Sequence, residues 1–143
     1  MKLRNTLIGG ITGTVIMTIF GYLAPFMGLP GMNPAEMLSM MMGVPNIVGW
    51  IMHFMIGIIF AAFYFYLFIN WLKKMDSKWL RGIVFGIIIF IIAQIAMGVM
   101  GAIMGGMPEP ENMMLMMIAS LLGHIVYGIG VVLPAKEQGD KAK

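Results

Sequence analysis

The sequence predicts an all-α integral membrane protein: a four-transmembrane-helix bundle built from two parallel helix-loop-helix pseudo-repeats. Three observations support this fold class. Hydrophobic residues make up 60% of the 143 residues and charged residues only 10%, and the mean hydropathy of +0.93 lies far above that of a soluble domain. Four apolar stretches are each long enough to cross a bilayer. Related motifs also recur in the two halves of the chain.

The predicted spans are residues 7–27, 47–72, 80–104 and 113–133. Each has the length of about 20 residues that crosses the hydrocarbon core. The chain leaves room for one compact membrane domain, residues 1–143. Pro34 and Pro110 stand where short interfacial helices could begin, before spans two and four.

The basic residues predict the orientation. Every Lys and Arg lies before span one, between spans two and three, or after span four, and the opposite connections contain none. Because positively charged loops stay in the cytoplasm, both termini are expected there. The aromatic stretch "FYFY" at residues 63–66 is expected at the same interface, in the lipid headgroup region. The small net charge of +3 gives no reason to expect nucleic acid.

The two halves of the chain resemble each other. The strip "GGITG" of span one has a counterpart, "GIVFG", in span three, and His53 of span two matches His124 of span four at nearly the same spacing. Repeat one covers about residues 5–72 and repeat two about 78–134, followed by a cytoplasmic tail at 135–143. Because each unit contains an even number of spans, the repeats are expected to be parallel.

Each of these histidines is framed by small residues four positions before and four after, in "GWIMHFMIG" and "SLLGHIVYG". At 3.6 residues per turn the three positions share one helix face. An ionisable side chain inside a membrane usually marks a function. The small residues would let spans two and four approach closely, or leave space for a flat guest. The predicted cofactor-binding residues are therefore Gly49, His53, Gly57, Ser120, His124 and Gly128.

Three interpretations of the histidine pair stay open. The imidazoles could supply both axial ligands of a haem b, although no Lys or Arg lies nearby in sequence to pair with its propionates. They could bind Cu(I). They could also make only interhelical hydrogen bonds, for which the sequence offers Thr14, Thr18 or Asn46 to His53, and Ser120, Tyr127 or Gln94 to His124.

The 19 methionines favour copper among the metals. Thioethers are soft ligands that, together with imidazole, suit Cu(I). Two methionines flank the first histidine, and others lie in the two external connections and their continuations, where they could capture copper. Methionine is equally an adaptable apolar filler, so packing is the alternative. The predicted metal ligands are His53, His124, Met52, Met55, Met37, Met41, Met113 and Met117.

Three motifs, "GWIMHFMIG", "GHIVYGIG" and the opening "GGITGTVIMT", resemble those of a small four-span bacterial membrane family catalogued as a domain of unknown function. The resemblance covers nearly the whole chain. It implies a bacterial inner-membrane location and the same glycine-framed histidine positions, His53 and His124. It implies no catalytic residue.

The sequence indicates a non-enzymatic protein. It contains no cysteine, and no nucleophile with a base, carboxylate pair or phosphate-binding loop is recognisable. One expected function is the binding of haem b or Cu(I) between spans two and four through His53 and His124. The alternative is a structural or accessory subunit, whose glycine strips dock onto membrane protein partners or onto a second copy of the chain.

Overall fold

The computed structural model describes residues 1–104 and 111–135, and every regular element within them is helical. Four helical segments are long and apolar enough to cross a membrane, which confirms the predicted all-α membrane fold. The elements are α1 (Lys2–Leu23) with a 3₁₀ turn (Ala24–Met27), α2 (Pro34–Met42), α3 (Asn46–Phe63) continuing through a π-helical turn (Tyr64–Phe68) into α4 (Ile69–Leu72), α5 (Lys78–Met104) and α6 (Met113–Val132).

The first span begins earlier than predicted, at Lys2 instead of residue 7. Asn5 and Thr6, which precede the predicted span, are buried against the bundle. Helix α1 therefore extends by more than a turn at its amino end. The other three spans agree with the prediction to within two residues.

The short helix predicted before span two is present as α2. Its first residue is Pro34, and the side chain of Asn33 accepts a hydrogen bond from the backbone N–H of Glu36 at 3.1 Å. The helix ends at Gly43, whose φ of +63° suits glycine. Residues 105–110, which include Pro110, lie outside the described residues. Helix α6 begins at Met113.

Helix α1 lies in the middle of the fold, packed against α3 on one side and α6 on the other. Helix α2 covers α3, and α5 packs against α6. Within the described ranges, α3 and α6 are not a closely packed pair, since α1 lies between them. The expected close crossing of spans two and four is therefore wrong. Gly49 and Gly57 of α3 instead admit α2 and α1, and Gly128 of α6 admits α5.

Aromatic side chains fill the core where span two ends and span three begins. Tyr64 and Phe65 are fully buried, and the Tyr64 ring lies 5.0 Å from the ring of Phe85 on α5. Half of the "FYFY" stretch is thus core, not interface as predicted, because the π-helical turn directs these rings inward. Tyr66 and Trp71 are exposed, as expected of an interfacial belt.

The parallel pseudo-repeat stays a prediction. Gly57 of α3 faces Gly10 and Thr14 of α1, and Gly128 of α6 faces Gly82 and Gly86 of α5. The two hairpins thus use small residues at comparable positions. The tail is described only at residue 135, so its basic residues Lys136, Lys141 and Lys143 lie outside the described residues.

Candidate functional site

His53 is buried in α3 and is anchored to α1. Its Nε2 lies 3.1 Å from the hydroxyl oxygen of Thr18, and that hydroxyl donates its proton to the carbonyl of Thr14 at 2.8 Å. A hydroxyl has one proton, so Thr18 can only accept from the imidazole. We therefore assign the hydrogen of His53 to Nε2. The lone pair of the neutral ring is then on Nδ1.

His124 is half-buried in α6 and is anchored to its own helix. Its Nδ1 lies 2.7 Å from the backbone carbonyl oxygen of Ser120. A carbonyl can only accept, so Nδ1 donates and the lone pair of the neutral ring is on Nε2. The small residue Ser120 thus contributes its backbone to the site. The two histidines hold opposite tautomers.

Both imidazoles lie among aromatic side chains. The ring of His53 makes edge contacts with Trp50 and Phe54, at centroid distances of 6.2 and 6.0 Å, and His124 makes one with Phe90 of α5 at 5.8 Å. In the described part of the chain the two imidazoles do not contact each other directly. Each is held by one hydrogen bond and by aromatic packing.

Neighbouring helices fill the space beside the glycines that frame the histidines. A methyl group added at Gly49 would overlap the carbonyl oxygen of Ala35 in α2, and one at Gly57 would overlap the hydroxyl of Thr14. A methyl group at Gly128 would overlap the carbonyl oxygen of Gly82. The bare backbone therefore serves close helix contact.

Tyr127 makes the direct polar link between α6 and α3. Its buried hydroxyl donates to the carbonyl oxygen of Gly57 at 2.5 Å. The sequence offered Tyr127 as a partner of His124, one turn away on the same helix. The hydroxyl instead reaches the other histidine-bearing helix, so it holds the two together although α1 separates most of their length.

The methionines predicted as metal ligands differ in their exposure. Met52, next to His53 in sequence, is half-buried, as is Met41 on α2. The remaining predicted thioethers are exposed: Met37, Met55, Met113 and Met117. Among the described residues no three His, Asp or Glu side chains cluster, so a metal here would depend on imidazoles and thioethers.

Two other methionines lie against Gly123, the residue that precedes His124. A methyl group added at Gly123, which directly precedes His124, would lie 3.2 Å from Cε of Met32 and 3.6 Å from Cε of Met17. Met17 in turn directly precedes Thr18, the partner of His53. Met32 belongs to the external methionines that the sequence suggested for copper capture, but neither residue was predicted as a ligand of the histidine site. The only signal in the sequence was the additional glycine beside His124.

One protein family, described only as a family of unknown function, matches residues 2–136. No curated protein matches the chain, and no solved structure does. The match covers all four spans.

Proposed function

Since the chain belongs to DUF6789, a family of unknown function, we propose its function from the geometry: a non-enzymatic membrane protein that binds Cu(I) through His53 and His124. The proposal includes a bacterial inner-membrane location with both termini in the cytoplasm, which the distribution of Lys and Arg supports. In this orientation α2 lies on the external side.

One observation carries the proposal: each imidazole uses one nitrogen in a hydrogen bond and keeps a lone pair on the other. Histidines that bind metals typically donate their second ring N–H to a carbonyl or another acceptor, which fixes the tautomer and the ring orientation. Thr18 and Ser120 provide such acceptors here. The neutral, apolar surroundings favour a soft monovalent ion over a hard divalent one, which would require carboxylate ligands.

Haem b fits these residues less well. A macrocycle between the imidazoles would need the space beside the framing glycines. Backbone or hydroxyl oxygens of α2, α1 and α5 already fill that space at Gly49, Gly57 and Gly128. A single ion needs only the two nitrogens and a few further ligand atoms. We therefore propose Cu(I) and not haem b.

The test is Cu(I) affinity, measured anaerobically against a competing chelator on the purified chain in mild detergent. We expect about one Cu(I) per chain. His53→Gln and His124→Gln each keep a polar side chain but remove the imidazole, and each is expected to weaken binding by at least about 100-fold, because losing even an outer-shell partner costs 10–100-fold. Met55→Leu, an exposed thioether on the same helix as His53, is the matched control and should bind normally.

A wild-type chain that binds no Cu(I), or histidine variants that bind as tightly as wild type, would contradict the proposal. Unfolding curves of each variant separate the loss of a ligand from the loss of the fold.

The second candidate function is an accessory subunit, and helix α5 favours it. Only 17% of its apolar window is buried inside the bundle, the lowest share of the four spans. Gln94 of α5 is half-exposed and makes no side-chain hydrogen bond within the described residues, and Gly98 has open space beside it. A polar amide in hydrocarbon gains from a partner in another chain. Metal-free protein that co-purifies with a membrane protein, and loses it in Gln94→Leu, would favour this function over Cu(I) binding.

A further inference from the structure

We propose that Met17 and Met32 supply thioether ligands to the same Cu(I) ion, which completes the site begun by His53 and His124. This inference rests on the proposed function. It replaces the exposed methionines, which the sequence suggested as ligands, by two that the fold brings to the histidines.

The two methionines approach the histidines from different parts of the chain. Met17 lies on α1, directly before the threonine that anchors His53. Both Cγ and Cε of Met17 lie within 4 Å of the position that a Cβ of Gly123 would occupy, so its sulfur, bonded to both, passes the backbone next to His124. The terminal methyl of Met32 reaches the same position. Two thioethers therefore converge on α6 at the residue that precedes His124.

The loop that carries Met32 folds back onto α1 and places this residue against the bundle. Its backbone N–H donates to the carbonyl of Gly21 at 3.2 Å, and a methyl group at Gly21 would overlap the carbonyl oxygen of Met32. Gly28, with φ of +75°, lets the chain reverse after the 3₁₀ turn. Because Gly21 has no side chain, the loop backbone at Met32 can lie against α1. Because Gly123 has none, the terminal methyl of Met32 can lie against α6. The site gains a ligand from outside the spans.

The chemistry of these ligands matches the setting. Thioether sulfur and neutral imidazole nitrogen are soft or borderline donors that suit Cu(I). All four side chains are uncharged, so the complex carries only the single charge of the ion. No ligand has to lose a proton before binding. The alternative role of Met17 and Met32 is apolar filling of the groove at Gly123, which methionine performs well.

The test compares Met17→Leu and Met32→Leu with Met55→Leu, the exposed control. Leucine keeps the apolar volume and removes the sulfur. We expect each of the first two variants to weaken Cu(I) binding by about tenfold or more, while the control binds as wild type. X-ray absorption at the copper edge of the wild-type complex should show sulfur as well as nitrogen in the first shell. This measurement needs no variant, so a copper shell without sulfur contradicts the inference even where a variant fails to fold.

The outcomes separate the two proposals. If the histidine variants lose Cu(I) but both leucine variants bind normally, and the copper shell contains no sulfur, the methionines only pack and this inference is wrong while the proposed function stands. If the histidine variants bind normally, the proposed function is wrong and the inference fails with it. Loss of affinity in both sets, with sulfur in the copper shell, supports both.

Discussion

A single threonine determines which nitrogen of His53 is available. The Thr18 hydroxyl donates a hydrogen bond to the backbone carbonyl one turn earlier, so its oxygen can only accept from the imidazole. A serine or threonine that bonds back to its own helix is common in membrane helices. Here the hydroxyl can accept a hydrogen bond from the imidazole but cannot donate one to it, which fixes the tautomer of the ring.

Thr18→Val should therefore lower both the stability of the fold and the affinity for Cu(I). Valine has nearly the shape of threonine but no acceptor. We expect the free energy of unfolding to fall by about 0.6–1.7 kcal/mol, the range found for interhelical hydrogen bonds in membranes. Cu(I) affinity should fall by about tenfold, because the ring loses its orienting partner. Denaturant titration and chelator competition measure the two effects.

Thr12→Val is the matched control for this prediction. Thr12 is half-buried on the same helix, and its side chain makes no hydrogen bond within residues 1–104 and 111–135. The valine variant should change neither quantity noticeably. Equal effects of the two substitutions would mean that the bond from His53 to Thr18 contributes nothing specific.

At the scale of helices, small residues decide which elements pair. The backbone of α6 approaches α5 so closely that a methyl group at Gly128 would overlap the carbonyl oxygen of Gly82. The backbone of α1 approaches α6 in the same manner, because Gly13 faces Tyr127. Close approach of backbones is the main source of packing energy between helices in lipid.

Alanine substitutions at two glycines should have opposite effects. Gly128→Ala forces α5 and α6 apart and should destabilise the protein by about 1–3 kcal/mol, the usual cost of overpacking. Gly98→Ala on α5 meets no other atom within 4 Å among the described residues. It should be neutral or stabilise the helix by up to about 1 kcal/mol. Unfolding free energies in detergent measure both, and equal losses would show that the helix contact at Gly128 is not tight.

The helices themselves could be predicted from the sequence far better than their pairing. Long apolar stretches fix the spans because the bilayer demands them. Pro34 indicated the start of α2. The same glycine strips, however, are compatible with several partners, so the sequence could not determine that α1 would lie between α3 and α6. The π-helical turn that buries Tyr64 depends on tertiary packing and has no local signal.

At the scale of the whole molecule, the proposed ion connects parts of the chain that the bundle otherwise keeps apart. His53 and His124 lie on helices of different halves, and within the described residues Tyr127 provides their hydrogen-bonded link. A shared ligand would add a second link and stabilise the bundle by an amount that grows with the logarithm of the free ion concentration above its Kd. Metal binding and the stability of the fold should therefore rise together.

The histidines could be found from the sequence, but the rest of the site could not. Ionisable residues are rare in spans, so His53 and His124 were conspicuous. Met17 and Met32 could not be distinguished from the other methionines, because what selects them is the groove at Gly123 and the fold of a loop onto Gly21. The sequence favoured methionines near the histidines in the chain or clustered outside, whereas the proposed ligands lie far from His124 in the chain and meet α6 at Gly123.

The central claim is tested most directly by ¹⁵N resonances of the two histidines, the only ones in the chain. In the free protein we expect neutral rings of opposite tautomer, with the proton on Nε2 of His53 and on Nδ1 of His124. One equivalent of Ag(I), an air-stable substitute for Cu(I), should shift the resonances of Nδ1 of His53 and Nε2 of His124 together. Unchanged nitrogen resonances, or a shift at only one histidine, would contradict a shared metal site.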